Sequence, residues 1–149
     1  MSYNRAMTDM IHLIKLCVGA EKPEDLVAWQ RDPRALGPDG QPRHVTRMWP
    51  KRAEALLAGG SLYWVFKGSV LARQRILRLD EVTGADGILR CGIVLDRTII
   101  RTAAAVKRPF QGWRYLDVKD APPDLPKARV GDDALPPALD AALADLGLR

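Results

Sequence analysis

The chain has 149 residues, 47% of them hydrophobic, which suits one domain with an ordinary core and gives no reason to expect a second domain. Its formal net charge of +5 favours an anionic partner. The two histidines and two cysteines show neither C-x-x-C nor H-x-x-x-H spacing, which argues against a zinc site and a disulfide framework, and no cofactor is implied.

The N-terminal segment carries no targeting or membrane signal. Asp9, His12 and Lys15 interrupt its apolar residues, and no stretch reaches the roughly 18 apolar residues of a membrane span. Cys17 and Cys91 lie among apolar residues on predicted strands, which favours reduced, buried thiols. We therefore expect a cytoplasmic protein without a membrane partner.

The first third of the chain predicts a strand, a helix and a loop. Apolar alternation predicts the strand over Ile11 to Val18. A short helix begins at Pro23, which two acidic residues follow, and runs to about Gln30; on it Trp29 shares a face with Leu26 and is expected in the core. Three prolines and two glycines predict a loop over Asp32 to Arg43.

The middle of the chain predicts a second helix and then a series of strands. The helix begins at Pro50 and stops at Gly59-Gly60. Turn signals then separate strands with period-two alternation, at Ser61–Lys67, Val70–Val82 and Ile88–Leu95. Residues 98–106 fit either a strand or a helix, because two isoleucines favour the first and three alanines the second.

The C-terminal part differs from the rest in charge. Residues 1–116 have an excess of basic side chains, whereas residues 117–149 have an excess of acidic ones. Prolines keep the segment DAPPDLP extended and out of a sheet interior, and Pro136 to Leu146 predicts a helix. We expect one α+β domain over 1–149: a compact, mostly antiparallel sheet, two or three short helices, and an acidic linker with a C-terminal helix over 131–149.

The strongest candidate binding segment is HVTRMWPKR. A helix that begins at Pro50 would present unpaired backbone N–H groups beside Arg47, Lys51 and Arg52, which suits a phosphate, and Trp49 would offer a stacking plane for a base. The alternative is a solvated helix start on which Trp49 is a hydrophobic staple to the core.

A second candidate is the segment KRPFQGWRY. Trp113 and Tyr115 would lie on one side of an extended strand and Arg114 on the other, a pattern typical of base-stacking surfaces but also of a covered sheet edge. A third candidate is the charge run of Arg73, Arg75 and Arg78, whose alternative is an ordinary solvated face.

Signatures of catalysis are weak. Phosphate-loop and dinucleotide fingerprints are missing, and neither histidine lies in a recognised nucleophile context. One alternative remains open, a small metal-independent hydrolase or nuclease with His44 as general acid/base and Arg47 or Lys67 stabilising an anion.

Several phrases resemble a bacterial family of uncharacterised proteins of about this length, a domain of unknown function. They are HLIKLCVG, TRMWPKRA, GGSLYWVFKG, DGILRCGIVLD, PFQGWRYL and DAPPDL. The resemblance covers most of the chain between His12 and Leu125 and implies no activity.

The order of elements also resembles the PUA-like superfamily, particularly its EVE and ASCH branches. The matching features are a strand with Lys15 near its centre, the short helix Pro23 to Gln30, a helix ending at Gly-Gly, and an aromatic strand followed by a long one. The resemblance implies a compact pseudo-barrel that binds RNA or modified nucleobases in a pocket beside that helix. It would place Arg47, Trp49 and the Tyr63-Trp64 strand in the pocket.

These observations favour a non-enzymatic binding module for a nucleic acid or a modified nucleotide, with RNA, DNA or a nucleotide as partner. Besides the hydrolase, a protein-interaction adaptor that pairs its acidic tail with its basic body remains an alternative.

Overall fold

The computed structural model describes residues 10–130, which form one mixed sheet of eight strands with two short α-helices. The strands are β1 Ile11–Leu16, β2 Arg43–Thr46, β3 Ser61–Phe66, β4 Ser69–Thr83, β5 Leu89–Leu95, β6 Ile99–Val106, β7 Trp113–Asp117 and β8 Asp124–Val130. The helices are α1 Pro23–Gln30 and α2 Ala53–Leu57, and single 3-10 turns lie at Pro33–Ala35 and Val118–Asp120.

The sheet has the strand order β2-β5-β4-β3-β1-β7, with β6 beside β4 and β8 beside β6. Among the described strands every pairing is antiparallel except β1 with β3, as expected for a mostly antiparallel sheet. Strand β4 belongs to two parts of it. Its first half lies between β3 and β6, and its second half pairs with β5 after an irregularity between Ile76 and Arg78. Such irregularities bend a strand and increase its twist, so β4 redirects the sheet here.

Alternation along β3 separates two hydrophobic clusters, as the sequence predicts. Leu62, Trp64 and Phe66 face the larger cluster, which also receives Leu26 of α1 and Leu56 of α2. Tyr63 and Val65 face the smaller cluster on the other side of the sheet. Strand β5 packs into the larger cluster through Cys91, Ile93 and Leu95. The core therefore lies between the β3 face, the two helices and the β5 part of the sheet.

Helix α1 has the predicted bounds, but its tryptophan is not in the core. Asp25 accepts hydrogen bonds from the backbone N–H groups of Glu21 and Lys22, at 2.9 and 3.2 Å, and closes the helix start. Leu26 faces the core, whereas the Trp29 side chain is 55% exposed, so the prediction that it packs in the core is wrong. The cause is the docking of the last turn through the Gln30 amide, which leaves Trp29 at the edge of the contact.

Helix α2 begins later than the sequence predicts. It starts at Ala53 and spans five residues, and Pro50 precedes it in a non-helical approach. The backbone N–H of Arg52 donates to the Tyr115 hydroxyl at 3.0 Å and is not free for a ligand. The predicted helix start at Pro50 is therefore wrong, and the aligned row of helix N–H groups expected there is not formed.

The structure also decides between the alternatives that the sequence left open for other segments. Residues Ile99–Val106 form a strand, and the loop before β2 is interrupted only by a 3-10 turn and an isolated bridge. Strand β8 begins inside the proline-rich segment and, among the described strands, pairs with β6 alone. The predicted helix Pro136 to Leu146 lies outside the described residues. Within residues 10–130 no helix is long and apolar enough to cross a membrane.

Candidate functional site

A cavity of about 300 Å³ opens where β1 ends, between helix α1 and strands β2 and β3. We call it the Lys15 pocket. Its size is at the lower end of the range for small-molecule sites, which suits a ligand of few atoms. The wall consists of apolar residues at and after the end of β1, aromatic rings and a few polar groups. Its side chains with polar or aromatic character are Lys15, Cys17, Asp25, Trp29, His44 and Trp64.

The register of the sheet places Lys15 between two tryptophans. Lys15 pairs with Trp64 across β1 and β3, and with Trp113 across β1 and β7. Residues that pair across neighbouring strands point to the same face. One row of the sheet therefore presents ring, ammonium and ring on its inner side.

Lys15 is a half-buried cation that has no counter-charge in the described part of the chain. No ion pair involves it among residues 10–130, and desolvation by burial lowers the pKa of its ammonium group. A desolvated charge without a partner costs free energy and is seldom kept for stability alone. Lys15 therefore has a property expected of a ligand-binding group.

His44 reaches the pocket from β2. Its ring meets Trp64 edge to face, with the centroids 5.8 Å apart. Burial, with a smaller contribution from the charge of Lys15, lowers the pKa of His44 to about 4, so the imidazole is neutral at pH 7. Its Nε2 atom is buried and has no hydrogen-bond partner within the described part of the chain. A neutral imidazole offers one donor and one acceptor, and the buried Nε2 takes part in no hydrogen bond within residues 10–130.

The Trp64 ring is fixed from behind by two glutamines. Its indole N–H donates to Oε1 of the fully buried Gln74 at 2.9 Å. The Gln74 amide in turn exchanges hydrogen bonds with Gln30 of α1, at 2.8 and 2.9 Å, and donates to the carbonyl of Asp96 at 2.9 Å. A fully satisfied buried network specifies one arrangement, so helix α1 and the Trp64 ring are held together.

The thiol in the pocket is not activated. Burial raises the pKa of Cys17 to about 12, and this effect outweighs the opposing influence of the Lys15 charge. The nucleophilic form of cysteine is the thiolate, which is scarce at neutral pH for such a group. Asp25 is occupied by the two backbone donors at the start of α1.

A second concavity of about 480 Å³, the Trp49 groove, brings the two sequence segments of candidate binding residues together. The indole N–H of Trp113 donates to the carbonyl of Met48 at 3.0 Å, and the Arg52 guanidinium lies 5.7 Å from the centre of the Tyr115 ring. Trp49 packs against the core, and its buried Nε1 has no partner among residues 10–130. The groove is lined by Met48, Trp49, Lys51, Gln111, Trp113, Arg114 and Tyr115.

Other candidates from the sequence lie elsewhere. Tyr63 is buried on the opposite face of the sheet, where its ring meets His12 with centroids 4.9 Å apart. On the same face, Arg73 forms a bidentate pair with Asp124, while Arg75 is exposed. Lys67 lies in the tight turn between β3 and β4, at φ 48°, and its Nζ is 3.3 Å from a carboxylate oxygen of Glu21.

Sequence reasoning thus named some of the residues that line the two concavities. It named Trp64 and, as an alternative, His44, but placed Trp29 in the core and noted Lys15 only as part of a family resemblance. Arg47 is exposed and lines neither concavity. A signal for Lys15 was present, since it is the one formally charged residue in the strand IHLIKL, whose other positions are apolar apart from a histidine. Within residues 10–130 no group of three His, Cys, Asp or Glu side chains is placed to hold a metal.

The comparisons with known proteins give a family and no activity. A family model described as "Protein of unknown function (DUF1489)" matches residues 13–149. No curated protein and no solved structure matches the chain. The matched region takes in both the Lys15 pocket and the Trp49 groove. The chain therefore belongs to the family described as Protein of unknown function (DUF1489).

Proposed function

We propose that the Lys15 pocket binds a nucleobase, plain or modified, and that the protein is a non-enzymatic binding module for a nucleotide or a nucleic acid. The observation that carries this proposal is the position of Lys15, a half-buried cation without an ion pair in the described residues, between the rings of Trp64 and Trp113.

The polar groups of the pocket match the edge of a base. Base edges carry carbonyl oxygens and ring nitrogens, which accept hydrogen bonds from an ammonium group. Neutral His44 also lines the pocket, and an imidazole in this form has one hydrogen-bond donor and one acceptor. Trp29 is exposed at the rim, where a ring can stack on the face of a bound base, a contact worth about 1–3 kcal/mol. A planar heterocycle therefore uses each of the features that the pocket presents.

Binding fits the pocket better than catalysis does. A general acid or base works best with a pKa near the operating pH, whereas the pKa of His44 lies at about 4. The hydrolase alternative also needs Arg47 or Lys67 beside His44 to stabilise an anion, and neither residue lines the Lys15 pocket. These observations support the binding module over the hydrolase.

The resemblance to PUA-like domains supports the same function. It implies a base pocket beside the first helix, and the Lys15 pocket lies beside α1. Of the residues that the resemblance implies, Trp64 lines this pocket, while Trp49 lines the groove and Tyr63 faces the other side of the sheet. The proposal therefore takes the location from the resemblance and the ligand chemistry from Lys15 and His44.

A titration with matched variants tests the proposal. We expect the full chain to bind at least one of the four common nucleoside 5′-monophosphates or their base-methylated forms, and Lys15→Met and Trp29→Ala each to weaken binding about tenfold or more. Lys119→Met, which removes an exposed charge that lines neither concavity, is the control and should leave the affinity unchanged. Equal affinities for Lys15→Met and Lys119→Met would refute the base pocket.

A further inference from the structure

We propose that the base in the Lys15 pocket belongs to a single-stranded nucleic acid whose adjoining nucleotides run into the Trp49 groove. This inference rests on the proposed function, because it takes the pocket as the base site. It goes further by naming a polymer, and not a free nucleotide, as the ligand, and by assigning the groove to the flanking nucleotides.

The pocket and the groove lie side by side on the sheet. Lys15 of the pocket and Trp113 of the groove are direct partners across β1 and β7, so they lie about 5 Å apart along the sheet. The chain itself also connects them: His44 lines the pocket, and the same segment reaches the groove at Met48 and Trp49. A strand that leaves the pocket on this side therefore has about the spacing of two β-strands to cross before it reaches the groove.

The groove offers what a flanking nucleotide needs. Trp49 and Tyr115 are half-buried, so part of each ring remains open to a second base. Lys51 and Arg114 are exposed at the lining and lie within reach of a phosphate. Surfaces that bind single strands combine stacking rings with cations that follow the backbone.

Three basic residues near the two concavities have no ion pair. Within residues 10–130 no ion pair neutralises Arg47, Lys51 or Arg114, and Arg47 lies on the segment that joins pocket and groove. The basic residues of β4, β5 and β6 differ, because four of the five are paired with carboxylates. The paired examples on β4, β5 and β6 are Arg73, Arg78, Arg90 and Arg101.

A free nucleotide would occupy only one of the two concavities. It would fill the pocket and leave the aromatic, cationic groove without a role, whereas a strand uses both. Complementary charge and proximity to the pocket therefore favour a polyanion with exposed bases, which describes single-stranded RNA or DNA.

The test compares a strand with its monomer on matched variants of the full chain. The ligands are labelled oligoribonucleotides and oligodeoxyribonucleotides of about eight nucleotides, and unlabelled nucleoside monophosphates as competitors. The groove variant is Lys51→Gln with Arg114→Gln. The control is Arg75→Gln with Lys119→Gln, which removes the same charge from exposed positions outside the groove.

We expect one of the oligonucleotides to bind at least about tenfold more tightly than the monophosphate. In about 50 mM salt the groove variant should lose roughly ten- to a hundredfold in affinity for it, and the slope of log K against log salt should fall by about 1.4, since each phosphate contact on a single strand contributes about 0.7. The control should retain the affinity apart from a small general effect of charge.

Equal affinity for strand and monomer, or equal losses in groove and control variants, would overturn the inference. The results distinguish a wrong inference about the strand from a wrong proposal about the base pocket. If the inference alone is wrong, the monophosphate still binds and still depends on Lys15. If the proposed function is wrong, neither ligand depends on Lys15.

Discussion

His44 and Trp64 meet edge to face, with ring centroids 5.8 Å apart, although β5 and β4 separate their strands in the sheet. Strands three positions apart in a flat sheet would lie about 14 Å from each other. The sheet therefore curls until β2 approaches β3, and the curl creates the wall of the Lys15 pocket. The long strand β4, with its irregularity after Ile76, provides the bend.

The buried imidazole makes stability depend on pH. In the folded chain the pKa of His44 is about 4, below the ordinary value of 6.5, so between these values the unfolded chain binds more protons and folding is weakened. The stabilisation is complete above pH 6.5 and is lost as the pH falls to 4, by up to about 3 kcal/mol. Urea unfolding of the wild type and of His44→Gln from pH 7 to pH 4 measures this.

The variant should lose stability less steeply across this range than the wild type. It will retain some slope, because burial also lowers the pKa of His12. Parallel curves for wild type and His44→Gln would contradict the depressed pKa.

Removing the cation of the pocket should stabilise the protein. Lys15→Met keeps the length of the side chain but relieves the cost of a desolvated charge, and we expect the free energy of unfolding to rise by about 1 kcal/mol while base binding is lost. A site maintained for function shows this opposition of stability and binding. Thermal unfolding beside the binding titration checks it, and a less stable Lys15→Met would assign the lysine a structural role.

The Gln74 amide should be important for both the core and the pocket. Gln74→Leu leaves the Trp64 indole N–H, the Gln30 amide and the Asp96 carbonyl without their partner, at a cost of about 2–4 kcal/mol in the free energy of unfolding. Chemical denaturation measures the loss. The same substitution at exposed Gln111 should change stability by less than about 0.5 kcal/mol, and similar losses at both positions would refute the network.

Gly60 joins α2 to β3 where no side chain fits. A Cβ on Gly60 would lie 2.2 Å from the carbonyl oxygen of Ile11 and 2.6 Å from that of Leu56, both of them backbone atoms. We expect Gly60→Ala to destabilise the fold by more than about 2 kcal/mol. Gly87→Ala is the control, since a Cβ there meets nothing within 4 Å and only its φ of +79° costs about 1 kcal/mol. Chemical denaturation compares the two variants. If the unfolding midpoint of Gly60→Ala is no lower than that of Gly87→Ala, the close backbone approach at Gly60 is contradicted.

Local patterns predicted the elements better than the site. Helix α1 and the alternation of β3 follow from capping, proline placement and period two, which are properties of neighbouring residues. The predicted start of α2 at Pro50 was wrong, and the contact found there, from the Arg52 backbone N–H to the Tyr115 hydroxyl 63 positions away, is one that no local pattern shows. The pocket depends on the pairing of Lys15 with Trp64 and Trp113, and on the curl that brings His44 to it, and no pattern in the sequence encodes either register or curl.

The most direct test of the base pocket is to follow the four tryptophan indole N–H signals by ¹H–¹⁵N correlation spectroscopy, assigned with single Trp→Phe variants. On adding a nucleoside monophosphate that binds, the signals of Trp29 and Trp64 should shift, and that of Trp49 should move appreciably only with the oligonucleotide. Saturation without a shift at Trp29 and Trp64 would place the ligand outside the Lys15 pocket and contradict the proposed function.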